Sequence, residues 1–153
     1  MELLGRMLGL DAPPRRIESY DISNQGADDI VASMTVFVHA RPLKRDYRHF
    51  KLRDLEHADD YASMEQVLTR RFRRYLDGDE KFGDLPDVLF IDGGENHARV
   101  AVRVLEAHGL DIPVFGMVKD FSRNQYAFPR IKGMMHDWIA VLYQIRQTAG
   151  WCV

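Results

Sequence analysis

The fold is decided by an alternating stretch near the start of the chain, Arg16-Ile17-Glu18-Ser19-Tyr20-Asp21-Ile22-Ser23. Successive side chains of a β-strand point to opposite faces, so Ile17, Ser19 and Asp21 are predicted to share one face. The turn signal at residues 24–26 ends the strand and puts Asp21 at its carboxyl end. A carboxylate there costs desolvation energy unless a cation neutralises it, which makes Asp21 a candidate ligand.

A second stretch of the same kind, residues 87–92, ends in Asp92 just before two glycines. Two strands that end in aspartate predict a divalent-metal site at one edge of a sheet, because Mg²⁺ and Mn²⁺ prefer oxygen ligands and keep several waters. Such a metal activates water for phosphodiester hydrolysis. For either aspartate alone the favoured alternative is a turn cap, since Asp and Gly dominate turns. The occurrence of Asp21 and Asp92 together favours metal.

The composition predicts one globular domain. The 153 residues carry a formal net charge of −2, but basic residues concentrate at 41–53 and 70–74, and this clustering matters more than the sum. The single cysteine, Cys152, excludes an internal disulfide and a cysteine-based zinc site. The sequence has neither an apolar run long enough for a bilayer nor a signal-peptide pattern, so we expect a cytoplasmic location.

The order of the predicted elements is that of an α/β domain. Three strands joined by short turns predict an antiparallel meander. A helical crossover between the fourth and fifth strands predicts that these two run parallel. The expected fold is a mixed sheet, three antiparallel strands then two parallel strands, with flanking helices. The predicted strands are residues 16–23, 30–38, 43–52, 87–92 and 113–118, and the predicted helices are 1–10, 61–76, 95–108 and 138–147.

Two adjacent acids, Asp59 and Asp60, precede the longest predicted helix. An aspartate at a helix start satisfies free N–H groups and the helix dipole without any catalytic role. The residue pattern alone therefore favours capping for Asp60. The doublet leaves open that one residue caps the helix while its neighbour points at the metal.

Four cations lie among aromatic residues in the predicted third strand. At strand spacing they fit a row that tracks a phosphate backbone, with the aromatic rings available for stacking. An equally good alternative is a solvated edge strand, where basic side chains discourage pairing with another chain. The arginine run at 70–74 is predicted to be an exposed helix face. The four candidates are Lys44, Arg45, Arg48 and Lys51.

The glycine pair Gly93 and Gly94 opens a helix and offers a phosphate cradle at its N-terminus. It lacks the lysine and spacing of a P-loop, so a small nucleotide-binding protein ranks last among the possible functions. None of the six histidines is paired at zinc spacing. His97 is predicted to lie near the metal edge, although a lone histidine is usually structural or on the surface.

Six blocks in order resemble the C-terminal endonuclease domain of the UvrC family, the nuclease component of the bacterial ABC excinuclease. The resemblance covers residues 13–120, with 1–12 as a linker helix before the domain and 121–153 as a divergent tail. It implies a ribonuclease H-like fold. The blocks are residues 14–24 (PRRIESYDISN), 31–34 (VASM), 46–51 (DYRHFK), 59–64 (DDYASM), 85–94 (LPDVLFIDGG) and 113–120 (PVFGMVKD).

The resemblance also implies a function in nucleotide excision repair and the SOS response. The expected activity is a Mg²⁺- or Mn²⁺-dependent cut in damaged double-stranded DNA, on the 5′ side of the lesion. Asp21 and Asp92 are the implied metal-binding carboxylates, and Asp60 is the implied additional catalytic acid, which overturns the capping preference. The implied protein partner is the excinuclease component UvrB, although the region that binds it has no counterpart in this sequence.

The sequence also departs from the family pattern. The family usually has Gly-Lys-Gly-Gln or a variant where residues 95–97 read Glu-Asn-His, which we take as a tolerated variation. Beyond Asp120 the family continues with a second aspartate and ends in an Asp-Glu-X-His-Arg-Phe block, and neither is found here; His136 lies outside that context. Because the resemblance stops abruptly after Asp120, we expect a truncated or out-of-frame tail, with a lineage-specific tail as the alternative. We therefore expect metal binding with little or no nicking, and the alternative function is an inactive UvrC-like remnant that binds DNA or a repair partner.

Overall fold

The computed structural model describes residues 1–24, 30–52, 59–120 and 125–127. The predicted helix at 138–147 lies outside these residues. Within them the helices are α1 (Glu2–Met7), α2 (Asp60–Leu76) and α3 (Glu95–Ala107). The strands are β1 (Arg16–Asn24), β2 (Ile30–Val38), β3 (Arg41–Pro42), β4 (Arg48–Lys51), β5 (Val88–Asp92), β6 (Val114–Asp120) and β7 (Gln125–Ala127).

The strands form a mixed sheet in the order β3-β2-β1-β5-β6-β7, with β4 also paired to β2. Strand β1 pairs antiparallel with β2 along its whole length and parallel with β5 from Ile17↔Val88 to Tyr20↔Ile91. Strands β5 and β6 are parallel, as the helical crossover between them requires. The predicted mixed α/β sheet is therefore confirmed.

The predicted third strand is wrong in its extent. Residues 43–52 do not form one strand: β3 and β4 pair with different parts of β2, and a 3₁₀ turn at Lys44–Asp46 separates them. Asp46 in this turn accepts a hydrogen bond from the guanidinium of Arg16 at 2.7 Å. The turn thus brings a carboxylate to Arg16 where a continuous strand would have paired with β2.

Helix α1 covers one face of the sheet, which we call face A. Leu4 and Leu8 are buried there against the amino-terminal parts of β1 and β5. Since each fully buried large apolar side chain contributes about 1.5–3 kcal/mol, this short helix is a substantial part of the packing. The core on face A consists of Leu4, Leu8, Ile17, Phe37, Val88, Phe90 and Phe115.

Helices α2 and α3 cover the opposite face, face B. The predicted apolar stripe of α2 is buried through its middle, but its two ends are not, since Tyr61 and Leu76 are exposed. The side chains of α2, α3 and β1 that build this core include Tyr20, Met64, Val67, Leu68, Phe72, Ala101 and Leu105. None of the helices in the described part of the chain has the length and apolar character needed to cross a membrane.

Candidate active site

The parallel register of β1 and β5 brings Asp21 and Asp92 together. The last aligned pair of these strands is Tyr20↔Ile91, so the next position on each strand holds an aspartate. Both aspartates share face A, since they alternate with Tyr20 and Ile91, which are buried in the face B core. Adjacent strands lie about 4.8 Å apart, so the two aspartates occupy neighbouring positions on the two strands. The predicted convergence of the two strand-end acids is what this register produces.

The surroundings of this pair suit a hard cation. Asp21 is exposed and Asp92 is half-buried, beyond the part of face A that α1 covers. Two carboxylates, with waters or phosphate oxygens in the remaining positions, are a sufficient ligand set for Mg²⁺ or Mn²⁺. The donor set therefore fits the metal that the sequence predicts.

The acidic doublet before α2 divides its roles between its two members. The Asp59 carboxylate accepts hydrogen bonds from the backbone N–H groups of Tyr61 at 2.9 Å and Ala62 at 3.3 Å, so Asp59 is the N-cap. Asp60 is the first residue of the helix and is exposed. Because its neighbour already caps the helix, the side chain of Asp60 is available for another role.

The described residues do not gather the three predicted acids into one cluster. Among residues 1–24, 30–52, 59–120 and 125–127 there is no group of three or more His, Cys, Asp or Glu side chains that could hold a metal ion. Asp21 and Asp92 lie on face A, whereas Asp60 begins a helix that packs on face B. The catalytic role of Asp60 stays a prediction.

The loop after Asp92 packs closely against the His97 side chain. Gly93 has φ 139°, and a methyl group on it would lie 2.5 Å from Cγ of His97, so only glycine fits. The His97 ring also packs on the Tyr61 ring, with 4.6 Å between centroids. This contact ties the start of α3 to the start of α2, and the position of His97 near a metal stays a prediction.

The four predicted DNA-binding cations do not form one row. Lys44 and Arg45 lie in the 3₁₀ turn. Arg48 pairs with Met34 of the buried face B and lies 5.5 Å from the Phe82 ring, while its guanidinium donates to the carbonyls of residues 45 and 47. Lys51 is exposed and lies on face A, the face of Asp21. The prediction of strand spacing for all four is wrong, and their binding of DNA stays a prediction.

A buried ion network lies on face B and was missed in the sequence. The Glu18 carboxylate, fully buried, accepts hydrogen bonds from Arg16 at 2.9 Å, from Arg71 at 2.8 Å and from the Tyr20 hydroxyl at 2.7 Å. Arg71 also donates to the Phe82 carbonyl at 2.9 Å. The prediction of an exposed arginine face at 70–74 is therefore wrong for Arg71, which is 0% exposed. A signal was available, since Arg71 follows Val67 and Leu68 at helical spacing within the apolar stripe.

The network shifts the ionisation of its members. Burial raises the pKa of the Tyr20 hydroxyl well above its ordinary value, and the charge of Glu18 raises it further. Burial alone would lower the pKa of Arg71, but its hydrogen bond and ion pair with Glu18 raise it. Burial opposes the charge of Arg16 in the same way, and its hydrogen bond to Asp46 and the charge of Glu18 raise its pKa. Both guanidiniums stay charged, so the network stabilises the fold and contributes no proton donor to the face A site.

The fold is that of a known class of nucleases. The chain is similar to the crystal structure of human ENDOV, with a TM-score of 0.50 and 17% sequence identity, over 81% of this chain and 50% of that one. At this identity the likeness concerns the fold. The architecture is a ribonuclease H-like α/β domain, as the sequence blocks predict.

The sequence comparisons give the family. The model of the UvrC RNAse H endonuclease domain matches residues 5–147. UvrABC system protein C of Ruminiclostridium cellulolyticum is 46% identical over an alignment of 126 residues that covers 78% of this chain. That of Finegoldia magna is 50% identical over an alignment of 111 residues that covers 71% of this chain. The chain belongs to the UvrC RNase H endonuclease domain family. It spans about a fifth of the length of these relatives, 21% and 18% respectively.

Proposed function

We propose that the chain is a metal-dependent DNA endonuclease domain that makes the 5′ incision in damaged DNA during nucleotide excision repair. The observation that carries this proposal is the pair Asp21 and Asp92, held side by side on the accessible end of face A. Membership of an endonuclease domain family supports it. Damaged double-stranded DNA is the proposed substrate, UvrB the proposed protein partner, and the cytoplasm the proposed location.

The residues of the site have distinct tasks. Asp21 and Asp92 would hold one Mg²⁺ or Mn²⁺ ion, which when bound polarises the phosphate and activates water. The parallel backbone register puts the two residues at neighbouring strand positions on the same face. The exposure of Asp21 leaves room for a phosphodiester at the same position. Asp60, which is not needed as a cap, is the proposed additional catalytic acid.

Metal binding tests the first part of the proposal. Calorimetry with Mn²⁺ on the wild-type chain should show a site that Asp21→Ala and Asp92→Ala each weaken strongly, since each removes one of two protein ligands. Asp111→Ala, which removes an exposed carboxylate between α3 and β6, is the matched control and should bind like wild type. Equal affinity in wild type and Asp21→Ala would contradict the shared site.

Nicking of a damaged supercoiled plasmid in Mn²⁺ tests the second part. Asp60→Asn should lower the nicking rate while leaving Mn²⁺ affinity close to wild type, because Asp60 is proposed to act beside the Asp21 and Asp92 pair. Glu65→Gln, an exposed change five residues further along α2, is the control for this helix. An Asp60→Asn variant as active as wild type would rule out the role of Asp60.

A second candidate is a domain that binds DNA or a repair partner but does not cut it. The basis of this candidate is the expectation that residues after Asp120 lack the histidine block of the family, while the family model itself matches residues 5–147. Loss of a group that assists proton transfer typically costs about 10²–10⁴-fold in rate. Metal and DNA binding without nicking by the wild-type chain would support this candidate, whereas a rate comparable to that of an intact family domain would exclude it.

A further inference from the structure

Face A carries a polar row that extends beyond the two acids. Asp21 on β1 is directly opposite Ser33 on β2, and Ser33 is directly opposite His49 on β4. Directly opposite residues share a face, so Asp92, Asp21, Ser33 and His49 lie in line across four strands. Adjacent strands are about 4.8 Å apart, which puts His49 roughly 10 Å from Asp21 along this line.

The far end of the row offers hydrogen-bond donors rather than acids. The Ser33 hydroxyl and Nδ1 of His49 are 3.2 Å apart and hydrogen-bonded. If Ser33 donates, the N–H at Nε2 of His49 stays available; if Nδ1 donates, the Ser33 hydroxyl proton stays available. In either state the pair presents one donor to an incoming acceptor.

A cation lies beside this pair. Lys51 is two residues after His49 on the same strand, so it shares face A, and it is directly opposite Val31. Both His49 and Lys51 are exposed. The row therefore changes from carboxylates, which require a metal before they attract a phosphate, to donors and a cation, which attract a phosphate directly.

We propose that Ser33, His49 and Lys51 form a second phosphate-binding position, which holds a phosphate of the same nucleic-acid strand beside the one that Asp21 and Asp92 present for cleavage. The proposal rests on the proposed nuclease function, because it takes the acid pair as the place of the scissile phosphate. The bound nucleic-acid strand would then cross the sheet from β5 towards β4. The position orients the strand through its backbone and reads no base sequence.

Binding of a short fluorescein-labelled DNA duplex by the intact chain in EDTA tests this position without the metal. His49→Ala should weaken binding about tenfold, as expected for a hydrogen bond to a charged group. Ser33→Ala should weaken it by a smaller factor in the same direction. Lys51→Ala should lower the log–log salt slope by about 0.9. His39→Asn, which removes an exposed histidine from the hairpin turn and suits its φ of 50°, should bind like wild type.

The outcomes separate this position from the nuclease function. A wild-type chain that binds the duplex, and variants that lose affinity as expected, support the position even if no nicking is observed. Nicking by wild type with full affinity and activity in His49→Ala would overturn the position and leave the nuclease function standing. A wild-type chain without affinity for the duplex in EDTA would also overturn it. Circular dichroism of each variant excludes loss of folding as the cause.

Discussion

The two faces of strand β1 surround their acidic side chains differently. On face B, Glu18 is fully buried and its carboxylate is matched by two arginines and a tyrosine hydroxyl. Three residues later, on face A, Asp21 is exposed beside Asp92, another carboxylate. Glu18 is thus enclosed by opposite charges and a hydroxyl donor, whereas Asp21 is exposed with a second carboxylate at the neighbouring strand position.

This difference separates stability from function within a single strand. A buried ion network depends on complete compensation, since an unpaired buried charge is very costly. Two adjacent carboxylates repel each other, and a bound cation offsets this repulsion. We therefore expect changes on face B to lower stability and changes on face A to alter ligand binding, a separation that single substitutions can test.

Glu18→Ala should have the largest effect. It leaves Arg16 and Arg71 buried without their shared carboxylate, and breaking a buried pair costs about 3–5 kcal/mol. Urea denaturation followed by circular dichroism measures the loss. Glu65→Ala, an exposed change on α2, should stay within about 0.5 kcal/mol of wild type. A loss for Glu18→Ala no larger than that of this control would show that the network does not stabilise the fold.

Much of the fold follows from local pattern, but the network does not. The alternation of β1 and the glycine after Asp92 are local features, and they predict the sheet and the neighbouring acids. The helical spacing marks Arg71 as an inward position, but its partner Glu18 lies 53 residues earlier, so no local window contains the ion pair. The interrupted third strand has the same origin, since Asp46 contacts Arg16 from 30 residues away.

The residue pattern of the acidic doublet does not decide which of its two aspartates caps α2. Asp59 and Asp60 are equally good caps by residue type, and only the hydrogen bonds of Asp59 assign the role. The Ser33–His49 pair was missed for a related reason: the partners lie on different strands, and their contact requires the register of β2 with β4.

Gly93→Ala should have the second-largest effect on stability, and it should also weaken metal binding on face A. The residue has φ 139°, where a side chain is strained by about 1–3 kcal/mol, and its methyl group would collide with the His97 ring. We expect lower stability together with weaker Mn²⁺ binding, because the loop follows Asp92 directly. Gly78→Ala, also at positive φ but with open space around the added methyl, is the control and should lower stability without affecting Mn²⁺ affinity. Unchanged Mn²⁺ affinity in Gly93→Ala would show that the conformation of this loop does not affect metal binding.

Tyr20→Phe should have a smaller effect that depends on pH. The folded pKa of Tyr20 is raised above its ordinary value of 10.0, first by burial and then by the charge of Glu18. A raised folded pKa means that stability is fully present below pH 10 and is lost as the pH rises through the folded pKa. The variant should lose about 1 kcal/mol at neutral pH, for the missing hydrogen bond to Glu18, and should show a weaker decline above pH 10 than wild type. Thermal melts from pH 7 to about 11 measure both.

Tyr47→Phe provides the comparison for that titration. Partial burial also raises the pKa of Tyr47, so it contributes a decline of the same sign. Tyr47 is only half-buried, whereas Tyr20 is 0% exposed, so its removal should flatten the profile less. If the stability of wild type and Tyr20→Phe falls in parallel above pH 10, ionisation of Tyr20 is not the cause of the fall.

Asp92→Asn should have the smallest effect, and its sign should depend on the metal. Without divalent ions the variant removes a like charge beside Asp21, so it should be more stable than wild type by about 0.2–1 kcal/mol, the size of a cross-strand charge effect. With Mn²⁺ in excess the wild-type chain gains stability by mass action and the variant gains little, so the order should reverse. Urea denaturation in EDTA and in Mn²⁺ measures the two differences, and Asp111→Asn should show neither. A variant that is less stable than wild type in EDTA would mean that Asp92 is compensated within the fold, as Glu18 is, and the contrast between the two faces would fail.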